Sequence, residues 1–522
     1  MKSHVNYYLS NLGKDIPASI VVFLVALPLC LGIALASGAP LFSGVIAGII
    51  GGTIVAWGSG SHLSVSGPAA GLTVIVFDAI ATLGDFKAFL LSLVIAGVLQ
   101  MTLGFLKAGL IGAFFPASVI KGMLAAIGMI LIIKQTPHAT GFDASFVGDE
   151  SYMQESAHSS FTELLQSLHG MIHGVSPGAT VVSIVALVVL VLWETNLLRR
   201  LKLVRLVPGP LIVVVWGVGF SLWAKNFAPE LAISERHMVS LPELGSISNF
   251  VAQLRMPDFS YIGNAKIYSI AATLAIIASL ETLLSIEAVD KLDPHKRISP
   301  TNRELKAQGF ANMLSGLVGG LPITAVIVRS AANINSGGQT RMSCFFHGIF
   351  LAISVLFFAK YLNMIPLACL AAILLQTGYK LAKPSMIREF YNKGWNQFLP
   401  FAITVVAILF TDLLEGIVIG MVVGIIFVLR ANFHEAMTLT QHGSHYLLRL
   451  HKDVSFLNKA LLRKHLSGIP EDSTLLIDGN KALFIDQDIL ETIADFLLAA
   501  PDDNINVEIQ GFSVENVVPT GH

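Results

Sequence analysis

Fourteen apolar runs, most of them near the length of a membrane crossing, confine this chain to a polytopic membrane protein. They fall near residues 17–37, 41–58, 66–83, 88–106, 113–133, 178–196 and 209–224. A second set lies near 267–289, 306–320, 323–334, 341–359, 363–380, 398–413 and 415–430. With 54% hydrophobic and 13% charged residues in 522, and a mean hydropathy of +0.71, the chain has too little polar surface to fold in water. The bilayer is therefore its first partner. The 33 basic and 34 acidic residues are sorted by membrane side, which gives no footprint for nucleic acid. Cys30, Cys344 and Cys369 all sit inside apolar runs and read as small buried hydrophobes, not as a disulfide framework.

Two sets of seven runs invite a repeat. Phe42-Ser-Gly-Val-Ile-Ala-Gly-Ile-Ile-Gly-Gly aligns without a gap on the segment starting at Phe310, matching Phe42/Phe310, Gly48/Gly316, Gly51/Gly319 and Gly52/Gly320. Pro116 and Pro366 each open a long apolar run in a weaker echo of the same repeat. Tandem repeats with an odd number of crossings must be inverted relative to each other, an arrangement that alternating-access carriers exploit. Orientation follows from basic residues. Arg199, Arg200, Lys202 and Arg205 follow the sixth run, Lys291, Lys296, Arg297, Arg303 and Lys306 the eighth, and Lys380, Lys383, Arg388 and Lys393 the twelfth. The connection from Gln135 to Thr180 has neither Lys nor Arg, as an external loop should. The first sixteen residues are polar and precede a run without a small-residue cleavage site, so no signal peptide is expected and both termini read as cytosolic.

One run is too short to cross. From Ile323 to Ile334 a helix covers only about 18 Å, against a hydrocarbon core of about 30 Å. It also carries Arg329, and an arginine at a helix centre costs roughly 2.5 to 3.5 kcal/mol on insertion scales, so this side chain should face a cavity or a partner. The stretch reads as a half-helix after the Gly319-Gly-Leu-Pro322 break. Ser66-Gly67-Pro68 reads as a second helix start, a cap followed by a first-turn proline. Two half-helices arriving from opposite sides would aim unpaired N–H groups and positive dipole ends at one point, which suits an anion. The candidate binding residues are thus Ser66, Gly67, Pro68, Ala69 and Ala70, with Thr324, Ala325, Val326, Ile327 and Arg329. Close packing alone is the competing explanation for the small residues. Glu281, near the middle of the eighth run with Ser285 one turn beyond, is the other buried charge and the candidate coupling site. Glu287 and Asp290 lie toward the basic end and read as solvated. Lys121 reads as a snorkelling residue, and His138, His158, His169 and His173 as solvated loop residues without metal-ligand spacing. No nucleophile-base set emerges, so an enzyme finds no support.

Beyond about residue 435 the pattern becomes a soluble α/β one. Strands are expected over 445–451, 473–480 and 505–511, and helices over 455–466 and 486–500 with Ile489, Ile493, Phe496 and Leu497 as the core face.

These residues carry a resemblance. The chain is similar to the sulfate permease (SulP) anion transporters, bacterial relatives of solute carrier family 26. Ser66-Gly-Pro-Ala-Ala-Gly resembles the family's third-segment motif. Residues 280–293, residues 302–322 and the Arg329 stretch resemble its eighth to tenth segments, and the C-terminal part resembles its STAS module. The resemblance implies an α-helical membrane domain over 1–435, with 14 transmembrane segments in a seven-plus-seven inverted repeat. Segments 1–4 and 8–11 would form a core that moves against a gate of 5–7 and 12–14, and 436–522 would be a short cytosolic STAS domain. It implies a homodimer in a bacterial inner membrane. The expected function is secondary active transport of a small inorganic or carboxylate anion, with sulfate and bicarbonate leading and a dicarboxylate third. No resident cofactor is expected beyond a co-transported proton or sodium ion. Some sodium-coupled members carry aspartate and threonine where this chain has Glu281 and Ser285, which favours the proton. A nucleobase carrier of similar fold and a non-transporting anion sensor are the alternatives. STAS relatives that act as phosphorylation switches carry a serine or threonine where this chain has Gln487, so no kinase switch is expected there.

Overall fold

The computed structural model describes residues 2–110, 115–142, 175–195, 198–200, 207–242, 245–411, 413–434, 436–451 and 453–513. His158, His169 and His173, Lys202 and Arg205 lie outside the described residues. The chain forms two compact units, one of Met1–Phe390 with Phe401–Gly420 and the other of Tyr391–Pro400 with Met421–His522.

Each apolar run contains a helix. In order these are α1 (Lys2–Ala36), α2 (Leu41–Gly58), α3 (Ala70–Leu83), α4 (Phe86–Phe105), α5 (Ala117–Thr140), α6 (Pro177–Trp193) and α7 (Gly209–Phe227). The second set is α8 (Ala265–Leu292), α9 (Thr301–Val318), α10 (Ile327–Asn335), α11 (Met342–Leu362), α12 (Leu367–Leu381), α13 (Trp395–Phe410) and α14 (Leu413–His434). Seven of them, α1, α2, α4, α5, α7, α8 and α11, are long and apolar enough to cross a membrane. The helix α1 does not wait for its apolar run but starts at Lys2, through the stretch expected to be polar lead-in. A helix satisfies its own backbone, so it can continue past the apolar boundary without penalty. α9 fails the hydropathy test for a different reason: it buries Glu304, Gln308, Asn312 and Ser315.

The membrane unit packs in two groups. α1 lies against α2, α10 and α11, while α4 lies against α8 and α9; α5 and α6 pack on α12, and α6 on α7. The two helices that the proline echo pairs in the sequence also meet each other. Pro116 and Pro366 are the N-caps of α5 and α12, with φ/ψ of −58/130 and −66/137. The same number of residues beyond each proline, these two helices touch backbone to backbone. A Cβ on Gly128 would lie 2.6 Å from the Gly378 oxygen, and one on Gly378 would lie 2.8 Å from the Gly128 oxygen. Only glycine permits that crossing. Gly48 and Gly316, paired in the sequence alignment, are likewise closely packed, against Cys30 and Leu351 and against Leu90 and Val94.

Two three-residue strands replace the helix at the breaks before α3 and α10, the second taking the first residues of the half-helix expected from Ile323. β1 (Ser66–Pro68) and β2 (Ile323–Ala325) pair antiparallel, with Ser66 opposite Ala325, Gly67 opposite Thr324 and Pro68 opposite Ile323. This corrects the expected helix start at Ser66-Gly67-Pro68: Pro68 is a strand residue, and the helical turns begin at Ala70. The correction has a physical cause. Unwound backbone inside a membrane unit must pair its N–H and C=O groups, and the two breaks pair with each other. His138 is also not a loop residue; it lies buried in the last turn of α5.

The second unit holds a four-stranded sheet of β3 (Met437–His442), β4 (His445–Leu450), β5 (Thr474–Asp478) and β6 (Asn506–Gln510). β3 and β4 are antiparallel and the other pairs parallel. The expected strands are present, joined by β3, whose outward residues made its pattern weak. The helices α15 (Lys459–Leu466) and α16 (Gln487–Ala499) cover the sheet, and Ile489 and Ile493 are fully buried, with Phe496 and Leu497 packed against the same core. Asp486 caps α16 by accepting from the Asp488 N–H at 3.1 Å, which leaves Gln487 in its first turn.

Candidate functional site

The β1–β2 ribbon brings the starts of α3 and α10 together. Ala69 and Val326 are the capping residues, both extended (φ/ψ of −115/140 and −119/114), and neither offers a side chain to the first turn. The first N–H groups of a helix have no intrahelical acceptor, so both starts present backbone donors, of which the Gly71 N–H of α3 is taken by Glu281. The Val326 N–H itself is used by the Val65 carbonyl at 2.9 Å, and Ser330 Oγ accepts from the Val65 N–H at 2.9 Å, which locks the second start against the first.

A cavity of about 740 Å³ reaches this point. Ala70, Val326 and Arg329 line it, together with Val25 and Ile33 of α1 and Gln376, Thr377 and Lys380 of α12. Lys380 pairs there with Glu194. The cavity is thus lined by apolar side chains of α1 and largely polar ones of α12, with the starts of α3 and α10 beside them.

Arg329 is fully buried. Its Nη2 donates to the Pro68 carbonyl at 3.2 Å, while Nε and Nη1 have no hydrogen-bond partner. The guanidinium lies across β1, where a side chain at Gly67 would collide with Nη1, so glycine there is what admits it. Among the described residues no salt bridge involves Arg329 or Glu281. An unneutralised, half-satisfied guanidinium beside a cavity is a costly arrangement that a bound anion would relieve.

Glu281 stands at the other helix start. It accepts a hydrogen bond from the Gly71 N–H, and its Oε2 is buried without a partner. A Cβ on Gly71 would lie 2.6 Å from Oε1, so the carboxyl approaches the first turn of α3 only because that residue is glycine. Ser285 lies one turn further along α8, buried.

The candidate residues therefore divide. Ser66, Gly67, Pro68, Thr324 and Ala325 form the buried ribbon, and Ala69 is buried at its end. Ala70, Val326 and Arg329 face the cavity. Ile327 does not join them: it is 41% exposed on the outer surface, because a helix that presents its residue 326 and residue 329 to a cavity turns residue 327 away. Glu287 is exposed and paired with Lys291 at 2.6 Å, and Lys121 is exposed. Sequence reasoning missed Thr282, whose Oγ1 accepts from the Ala325 N–H at 3.4 Å, and the polar face of α9.

The comparisons with known proteins agree with this architecture. Residues 12–407 match the Sulfate permease family. The putative sulfate transporter YvdB of Bacillus subtilis is 28% identical over 451 residues, 86% of this chain and 79% of YvdB. The bicarbonate transporter BicA of Picosynechococcus is 27% identical over 424 residues, 79% of this chain and 69% of BicA. Among solved structures, SLC26A9 superposes with a TM-score of 0.77 at 16% identity, covering 97% of this chain and 85% of the other. The transmembrane domain of a cyanobacterial BicA gives 0.62 at 23% identity, covering 80% and 97%. At these identities the structural likeness is one of fold. With the match spanning most of the sequence, the chain belongs to the sulfate permease family.

Proposed function

We propose that this protein is a secondary active transporter that carries a small anion at the paired starts of α3 and α10. The observation that carries the reading is the meeting of Ala70, Val326 and Arg329 in the lining of one cavity, with two helix starts that lack a side-chain cap from their N-cap residue and a guanidinium without a salt bridge among the described residues. Helix N-termini and an arginine recognise negative charge with little demand for chemical identity. Sulfate and bicarbonate lead the substrate class, since relatives carry those names, and a dicarboxylate is third. Transport proceeds in an elevator-like movement, with α1–α4 and α8–α11 carrying the anion past a gate of α5–α7 and α12–α14. A proton on Glu281 accompanies it, with sodium as the competing ion. The chain has fourteen transmembrane segments, two of them the broken ones in which β1 leads into α3 and β2 into α10, with both termini cytosolic, in a bacterial inner membrane. The second unit is a STAS-like cytosolic module in a homodimer. The test is uptake of radiolabelled sulfate, bicarbonate, fumarate and chloride into proteoliposomes under imposed proton and sodium gradients in turn. No accumulation of any of them above protein-free vesicles rejects transport.

Arg329→Ala is expected to weaken binding of the transported anion about tenfold or more, since charge-assisted contacts are worth upward of about 1.5 kcal/mol. Calorimetry on folded, monodisperse protein measures it, and an unchanged Kd removes Arg329 from the site. For the second unit, a chain stopped near Met437 is expected to keep measurable uptake, because the cavity and both helix starts belong to the other unit. Complete loss of uptake from a folded, dimeric membrane unit contradicts an auxiliary role.

A further inference from the structure

Four polar side chains on one face of α9, Glu304, Gln308, Asn312 and Ser315, are buried, none more than 2% exposed. Buried polar groups destabilise unless bonded, and here three of the bonds go to the ribbon. Asn312 grips a single residue at two points: its Oδ1 accepts from the Ile323 N–H at 2.6 Å, and its Nδ2 donates to the Ile323 carbonyl at 3.1 Å. Pro68, opposite Ile323, has no N–H to give, and the Asn312 amide takes both backbone groups of Ile323 as a third strand would. Gln100 of α4 orients this amide, its Oε1 accepting from Asn312 Nδ2 at 2.8 Å. One turn earlier on α9, Gln308 Nε2 donates to Ser66 Oγ at 2.7 Å and to Glu304 Oε1 at 3.1 Å, which ties down β1 in the same way.

We propose that Asn312, oriented by Gln100, is a positioning residue for anion binding. It does not line the cavity. It fixes the backbone of Ile323, the first residue of a strand that leads directly into α10, and so sets where the first-turn N–H groups of α10 point. The proposal rests on the reading that the anion sits at those N–H groups. A strand of three residues has too few ladder bonds to hold its own direction, which is why a side-chain clip on it acts on the site.

The test uses the full-length protein and whichever of radiolabelled sulfate and bicarbonate the wild type takes up. In Asn312→Ala the apparent KM and Kd are expected to rise about tenfold with turnover changed less than about twofold, the signature of lost ground-state binding. Backbone amides at 323–327 are expected to exchange hydrogen faster. A merely structural role would lower yield and melting temperature and leave the Kd of the folded fraction at its wild-type value, and that result overturns the proposal. Where Asn312→Ala yields no folded protein, Gln100→Ala decides. It removes only the acceptor that orients the amide, its expected effect is a rise in Kd of about threefold, and a wild-type Kd is the overturning result. Ala70→Phe separates the two ideas. If that variant transports normally, the site reading falls and the positioning role with it. If it is silent while Asn312→Ala and Gln100→Ala bind as the wild type does, only the positioning role falls.

Discussion

Ala70→Phe is expected to abolish anion uptake, by about a hundredfold or more, while leaving expression and detergent stability close to those of the wild type. Ala70 is half-buried, opens the first turn of α3 and lines the cavity together with Val326 and Arg329. A phenylalanine there projects into the space between two helix starts. The anion would lose its approach to the backbone, and no protein core is overfilled, because the volume occupied is cavity. That asymmetry makes the position informative. Overpacking a true core costs typically about 1 to 3 kcal/mol of stability, whereas filling a site costs function first. Radiolabelled uptake compared with thermal unfolding in detergent separates the two, and wild-type uptake from a folded variant makes the helix-start site untenable.

Much of this arrangement is legible in the sequence because the membrane makes hydropathy a strong signal. The fourteen runs each become a helix, and the Pro116/Pro366 echo marks α5 and α12, which cross at Gly128 and Gly378. Arg329 announces itself, since an arginine in an apolar run requires a cavity or a partner. The local form of the breaks was not legible. Ser66-Gly67-Pro68 has the composition of a helix cap, and three residues are too few for any period to show that they pair with a segment more than 250 positions away. The direction of the Arg329 side chain follows from a long-range fact too, the absence of a Cβ at Gly67. The α9 face is a different case. Glu304, Gln308 and Asn312 recur every fourth residue in plain sight, but a polar stripe reads equally as a solvated surface until the fold buries it.

Glu281→Gln is expected to abolish accumulation driven by an inward proton gradient while anion-for-anion exchange survives within about threefold. The glutamine keeps the shape of the side chain and an oxygen for the Gly71 N–H, so the first turn of α3 stays in place. It has no proton to gain or lose. In the wild type the carboxyl sits at a helix start, close to the proposed anion site, with Oε2 buried and without a partner among the described residues. Such a group has two distinct states, and each has a use. As a carboxylate it is held by the positive end of α3 and repels an arriving anion; as a carboxylic acid it gives up that hold and lets the anion take the start of α3. Under the proposed mechanism the binding of anion and proton is thereby coupled, and by linkage each would raise the affinity for the other. The proton also reduces the charge that must move, which matters because each net elementary charge carried against the membrane potential costs about 2.3 kcal/mol per 100 mV. The sign of the pH dependence follows: wild-type anion affinity rises as pH falls through the titration of this carboxyl, and Glu281→Gln binds with the affinity of the protonated form across the same range. Exchange and gradient-driven uptake measured in one proteoliposome preparation, at several internal and external pH values, read both effects. Persisting accumulation at the wild-type level in Glu281→Gln shows that the proton travels on another group or that the driving ion is sodium, and the sodium arm of the same measurement tells which.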